Sequence, residues 1–212
     1  MSPELSDNTP LNPRRQYLKV TWMNSLIAGL ILFFGTHSIS IVAPHWRDRV
    51  VARIGAGAWR GVYSLASLGS LLLIIHGFGL ARAASTIWYT PAAWMHSVAR
   101  ALLLPVFPLL LAAYFPGRIQ AAAKHPMLVA IKLWAFAHLL ANGTAADVLL
   151  FGGFLAWAVI DRISLKRRAP RAVPGARASK RNDVIVIIAG LALYLLVVGW
   201  AHERLFGVSP LA

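Results

Sequence analysis

Seven histidines in a chain of 212 residues that has no cysteine define the chemistry open to it. A neutral imidazole ligates metal, passes protons or hydrogen-bonds across a helix interface. The absence of thiols excludes disulfides, thiolate-bound zinc, iron–sulfur clusters and thioether attachment of haem through C-x-x-C-H, so any haem here is held non-covalently. Several candidates lie within apolar stretches: His37 in "GTHSIS", His76 in "IIHGFG", His96 in "WMHS", and His125 and His138 at the start and towards the end of "HPMLVAIKLWAFAHLLANG". Arg100, Lys132 and Asp147 join them. An ionisable group in hydrocarbon is costly, and each such position asks for a reason.

Helical spacing sorts these residues. Trp134, His138 and Asn142 are four apart and share one face, whereas His125, Lys132 and Leu139 are seven apart and share another. Lys132 reads as a snorkelling lysine whose stem lies in lipid and whose ammonium reaches the headgroups. Around His37, the small residues Gly35, Ser38 and Ser40 leave room for a bulky group or a second backbone. Two neutral imidazoles on separate membrane helices are the usual protein half of a b-type haem site. The same pair also serves as simple hydrogen-bonding contacts between helices, and spacing alone leaves both readings open. His37 lies about 9 Å and His138 about 18 Å from the same membrane face, counted at 1.5 Å per residue, so a shared iron has to bridge an offset of about 9 Å. His76 and His96 fall near the opposite interface, where histidine needs no special role. Arg100 reads as reaching that interface or pairing with Asp147. No catalytic triad, P-loop or dinucleotide fingerprint is present in the chain.

The elements that must position these groups follow from composition. With 58% hydrophobic and 13% charged residues, the chain cannot cover a buried core with polar surface in water. Charge-free runs over 20–46, 61–81, 101–117, 133–146 and 184–202 approach or exceed the length of about 17 to 25 residues needed to cross a bilayer. The expected architecture is all-α, a polytopic integral membrane helical bundle of about six transmembrane helices. The spans are expected over 20–43, 59–80, 94–115, 126–142, 144–160 and 184–200, with Pro105 and Pro108 kinking the third and Asn142–Gly143 as a C-cap pair ending the fourth. "HWRDRVVARIGAGAWR" reads as an interfacial segment leading into the second span.

Residues 1–19 form a polar extension, 20–202 the transmembrane domain, 161–183 a basic loop within it and 203–212 a short tail. The first apolar run is too long for a signal-peptide core and reads as an anchor. The net charge of +14 would point to nucleic acid in a soluble protein, but here it lies between apolar runs and reads as topology, with no nucleic-acid partner expected. The basic loop holds eight cations and belongs in the cytoplasm. With six spans, fourteen cations fall inside and five outside, and Arg14, Arg15 and Lys19 at the outer N-terminus run against the rule.

The same residues carry a family resemblance. "GTHSISIVAPHWR", "HPMLVAIKLWAFAHLLANG" and "LLFGGFLAWAVIDR" together resemble the NnrU family of bacterial membrane proteins, from Leu26 to Arg162. That resemblance implies a multi-pass protein of the bacterial cytoplasmic (inner) membrane associated with denitrification, with nitrite or nitric-oxide reductase components as partners beside the lipid bilayer. It also implies kinship with the zeta-carotene isomerase of plants and cyanobacteria, which uses haem b to isomerise a polyene and would give this chain a small hydrophobic substrate. Under the resemblance, His37 and His138 stand at the axial-ligand positions of haem b, and His125 matches a further functional, cofactor-binding position. Two departures stand out. Ala135 replaces the cysteine that plant isomerases have three residues before the second histidine, so no thiolate is available for ligand exchange. Thr144 follows "ANG" where an acidic residue is expected in many members.

Overall fold

A computed structural model of the chain describes residues 13–168 and 175–211, and among these the secondary structure is helical with no strand. Proline starts three of the helices, because at the first helical turn its missing N–H removes no bond. The helices are α1 (Pro13–Val42), α2 (Pro44–Ala84), α3 (Ala93–Leu103), α4 (Val106–Ala112), α5 (Arg118–Ala123), α6 (Pro126–Ala141), α7 (Ala145–Ser164) and α8 (Arg181–Leu196). From α8 a π-helical turn, Val197–Ala201, leads into α9 (His202–Phe206). Met23–Val42, Pro44–Arg82, Ala93–Ala112 and Arg181–Phe206 are long and apolar enough to cross a membrane, and α6 is a shorter apolar helix. Large apolar side chains face outward, with Leu65 72% and Ile188 65% exposed, as a lipid-facing surface requires.

Two helices are longer than the sequence predicts. α1 begins at Pro13, inside the polar extension expected over 1–19, of which residues 1–12 lie outside the described residues. α2 takes in the interfacial segment as well as the span, and Gly55, at φ +83 and ψ 154, divides it in two. Only glycine adopts that conformation without strain, so the arginine-rich part before Gly55 is set off from the apolar part after it. The expected proline kink in the third span is present as the break between α3 and α4 at Leu104–Pro105, since Pro105 has no N–H for the ladder. The basic loop shortens from both ends as α7 runs to Ser164 and α8 begins at Arg181, and Pro170, Arg171 and Pro174 lie outside the described residues.

The main core joins α1, α2, α6 and α7 through Leu26, Leu30, Ile74, Ala81, Ala135, Ala146, Leu150, Phe151 and Phe154. Small residues permit the close approaches: a Cβ on Gly77 would lie 2.5 Å from the backbone nitrogen of Leu26, and one on Gly190 would collide with Pro108 across the α4–α8 contact. α6 packs against α3, α4 and α7, which makes it the central helix.

Two knots tie the ends of the bundle. At one, Trp88 and Tyr89 donate their N–H groups to the Gly143 carbonyl at 2.8 and 3.2 Å, Ala145 donates to the Thr86 carbonyl at 2.8 Å, and the Ser85 hydroxyl accepts from the Ala146 N–H. At the other, the Asp183 carboxylate accepts from the N–H groups of Arg118 and Ile119, each at 3.0 Å, and Ala176 and Ser179 donate to the carbonyls of Tyr114 and Pro116.

Candidate functional site

His37 and His138 occupy matching local environments on different helices. On α1, His37 Nδ1 lies 2.8 Å from the carbonyl of Phe33, and on α6, His138 Nδ1 lies 2.8 Å from the carbonyl of Trp134. A carbonyl only accepts, so each Nδ1 carries a proton, and in the neutral ring that tautomer leaves the lone pair on Nε2. Neither Nε2 has a hydrogen-bond partner among the described residues, and neither is a sealed, buried atom. This is how a metal-ligating imidazole is set, with the second nitrogen fixing tautomer and rotation.

Aromatic rings hold both imidazoles. His37 stacks on Phe33 with centroids 3.9 Å apart and meets the edges of Tyr63 and Trp157 at 5.3 and 5.9 Å. His138 stacks on Phe151 at 4.5 Å and lies 5.2 Å from Trp134. A run of ring contacts joins the two sites, from Phe33 to Phe154 at 5.2 Å and from Phe154 to Trp134 at 5.4 Å. α7 is the common wall, since Phe151, Phe154 and Trp157 all project from it. His138 stacks on Phe151 and His37 meets Trp157, six residues further along α7.

Sequence reasoning placed Trp134 and His138 on one face but left the other walls unread, although one signal was available. Each histidine follows an aromatic residue by four positions, Phe33 before His37 and Trp134 before His138, and that residue supplies both the accepting carbonyl and a ring contact. The α7 contribution depends on tertiary packing and has no local signal.

The other candidates disperse. His125 caps the start of α6, thirteen residues and about 20 Å along the helix from His138, beside Asp161, Arg162 and Lys124. Burial, reinforced by the Arg162 and Lys124 cations, pushes the His125 imidazole below its ordinary range. Arg100 does not pair with Asp147. Its guanidinium donates to the Pro210 carbonyl and the Ser97 hydroxyl at 3.1 and 3.2 Å, whereas Asp147 forms a capping box with Thr144 and starts α7. The Thr144 hydroxyl donates to Asp147 Oδ2 at 2.6 Å, and Oδ1 is buried without a partner among the described residues.

Asn142 and Gly143 end α6 differently from the expected left-handed cap. Asn142 is extended, at φ −139 and ψ 134, and its amide donates to the His138 carbonyl at 3.0 Å. Gly143 has no positive φ. It is required because a Cβ there would collide with the Tyr89 carbonyl. The Tyr89 hydroxyl donates to the carbonyls of Asn142, at 2.6 Å, and Leu139. Outside the spans, burial and the nearby Asp147 carboxylate push the Tyr89 phenol up, so it stays a donor.

No curated protein and no solved structure matches the chain. The family described as NnrU protein matches residues 25–210, which extends the likeness past Arg162 through the last helix and takes in both anchored histidines. With that match over most of its length, the chain belongs to the NnrU family.

Proposed function

We propose that this protein crosses the bacterial inner membrane six times, holds haem b between His37 and His138, and serves nitrogen-oxide metabolism as a redox, sensing or assembly component alongside nitrite or nitric-oxide reductase components. The observation that carries the haem reading is the paired anchoring, in which each imidazole gives its Nδ1 proton to a carbonyl one turn back and leaves Nε2 free. The donor set fits b-type haem, for which neutral histidines are good axial ligands in an apolar surround. Bound there, the haem would supply one-electron chemistry at its iron. The chain's own part is to fix the two rings through the Phe33 and Trp134 carbonyls and to exclude water with Phe33, Phe151, Phe154 and Trp157. His125, about 20 Å along α6 from His138, is given no contact with the haem in this reading.

The two knots support counting α6 and α7 as spans. The α6–α7 turn is bonded to the loop after α2, whereas α5, just before α6, is bonded to Asp183 in the first turn of α8. α6, at sixteen residues, is about 24 Å long, and α7, at twenty, is about 30 Å, close to the hydrocarbon thickness.

A haem-dependent polyene isomerase is the second reading, favoured by the apolar aromatic lining. Ala135 weighs against it, because this fully buried residue stands where the isomerases have cysteine and offers no thiolate. Absorption spectra of the purified protein test the proposal. A Soret band is expected, and His37→Ala or His138→Ala should abolish or shift it. A wild-type protein without the band, or variants with an unchanged band, would overturn haem ligation. Expression in cells that accumulate cis zeta-carotene should leave the isomer profile unchanged, and conversion to the trans isomer would establish the second reading instead.

A further inference from the structure

An apolar groove of about 350 Å³ runs between α4, α5 and α8, lined by Leu104, Pro105, Pro108, Ile119, Ile187 and Leu191 among others. It is built by the kink, because the break at Pro105 and the close seating of Gly190 against Pro108 open a furrow beside them. Leu104, Ile187 and Leu191 keep exposed apolar surface in it, so it opens towards the lipid.

Its mouth is charged. Ile119 follows Arg118 directly, and Ile187 and Leu191 lie six and ten residues beyond Arg181 on α8, about 9 and 15 Å deeper. Arg118, Arg177, Lys180 and Arg181 are exposed there, and none forms a salt bridge among the described residues. The acid at this rim, Asp183, is engaged by the backbone of α5 through Arg118 and Ile119. Buried Asn182 donates to the carbonyls of Pro116 and Arg177, at 2.8 and 2.9 Å, and so joins the chain before α8 to the α4–α5 turn. A flexible loop obeying the positive-inside rule would not need that framework.

We propose that this groove is a binding site for one anionic phospholipid, with its phosphate held at Arg118, Lys180 and Arg181 and one acyl chain lying along Ile119, Ile187 and Leu191. The match rests on two complementary features: exposed cations that outnumber the single acid Asp183 at headgroup level, and an apolar furrow that descends from them over the depth of a membrane leaflet. This site is separate from the histidines.

Native mass spectrometry of the delipidated protein in a nonionic detergent tests it, with phosphatidylglycerol and phosphatidylcholine of identical chains as probes. The wild type is expected to retain one phosphatidylglycerol with an apparent affinity at least about tenfold above that for phosphatidylcholine. Arg118→Gln with Arg181→Gln should remove about tenfold or more of that preference, and Ile187→Trp should weaken retention of both lipids by filling the groove. Equal retention of the two lipids by the wild type overturns the proposal without reliance on any variant. Undiminished preference in the arginine double variant, folded by circular dichroism, also overturns it.

Discussion

At the scale of single residues, proton placement is the recurring theme. His37 and His138 each have their Nδ1 proton fixed by a carbonyl of their own helix, whereas the His125 imidazole is pushed below its ordinary range by burial and by the cations around it. The last has a testable consequence. A folded-state pKa below the usual value means that the unfolded chain takes up the proton first as pH falls, so the stability contributed by neutral His125 is present above about pH 6.5 and is lost as pH drops through the depressed folded value. Melting temperature in detergent should therefore fall below about pH 6.5, and His125→Gln should flatten that decline. An identical acid profile in the variant would show that other groups set it. The histidine positions were legible from the sequence because they break apolar runs. Their orientation was legible in principle from the aromatic residue four positions earlier, but the stacking of His138 on Phe151 required knowledge of which helix lies alongside.

At the scale of elements, proline and glycine have different kinds of visibility. Pro44 and Pro126 start helices, and Pro105 breaks one, through a local rule that a sequence states directly. Glycine was ambiguous. Gly55 serves backbone conformation, Gly143 serves the approach of Tyr89, and Gly77 serves the approach of α1 to α2. The last role predicts a contrast. Gly77→Ala inserts a methyl 2.5 Å from the Leu26 nitrogen and should destabilise the protein by about 1 to 3 kcal/mol as the helices separate. Gly61→Ala meets open space and should change stability by less than about 1 kcal/mol. Thermal unfolding of the two purified variants compares them directly, and equal melting temperatures would remove the packing role assigned to Gly77.

At the scale of the whole molecule, apolar runs made the membrane class plain, and four helices among the described residues are long and apolar enough to cross, so the count of six belongs to the proposed function. The apolar pattern puts the fourth and fifth expected spans at α6 and α7, but α6 is short and α7 carries Asp147, Asp161 and Arg162, so neither is among those four. Hydrogen bonds join the α6–α7 turn to the loop after α2. Because the chain has no cysteine, single introduced thiols report topology cleanly. In spheroplasts treated with a membrane-impermeant maleimide, Thr90→Cys should be labelled, whereas Ala122→Cys and Ser179→Cys should react only after permeabilisation. Labelling of Ser179→Cys in intact spheroplasts would reverse the orientation.

The placement of α7 also orders events during biosynthesis. α1 and α2 leave the ribosome first and pack closely through Gly29 and Gly77, so they can pair before the rest of the chain exists. His37 is then in the membrane but lacks Trp157, and His138 arrives lacking Phe151, because both walls belong to a helix made later. The two sites are completed together only when α7 has entered. On the proposed function, cofactor loading therefore follows insertion of the fifth span, and a chain arrested before α7 would sit in the membrane without its haem.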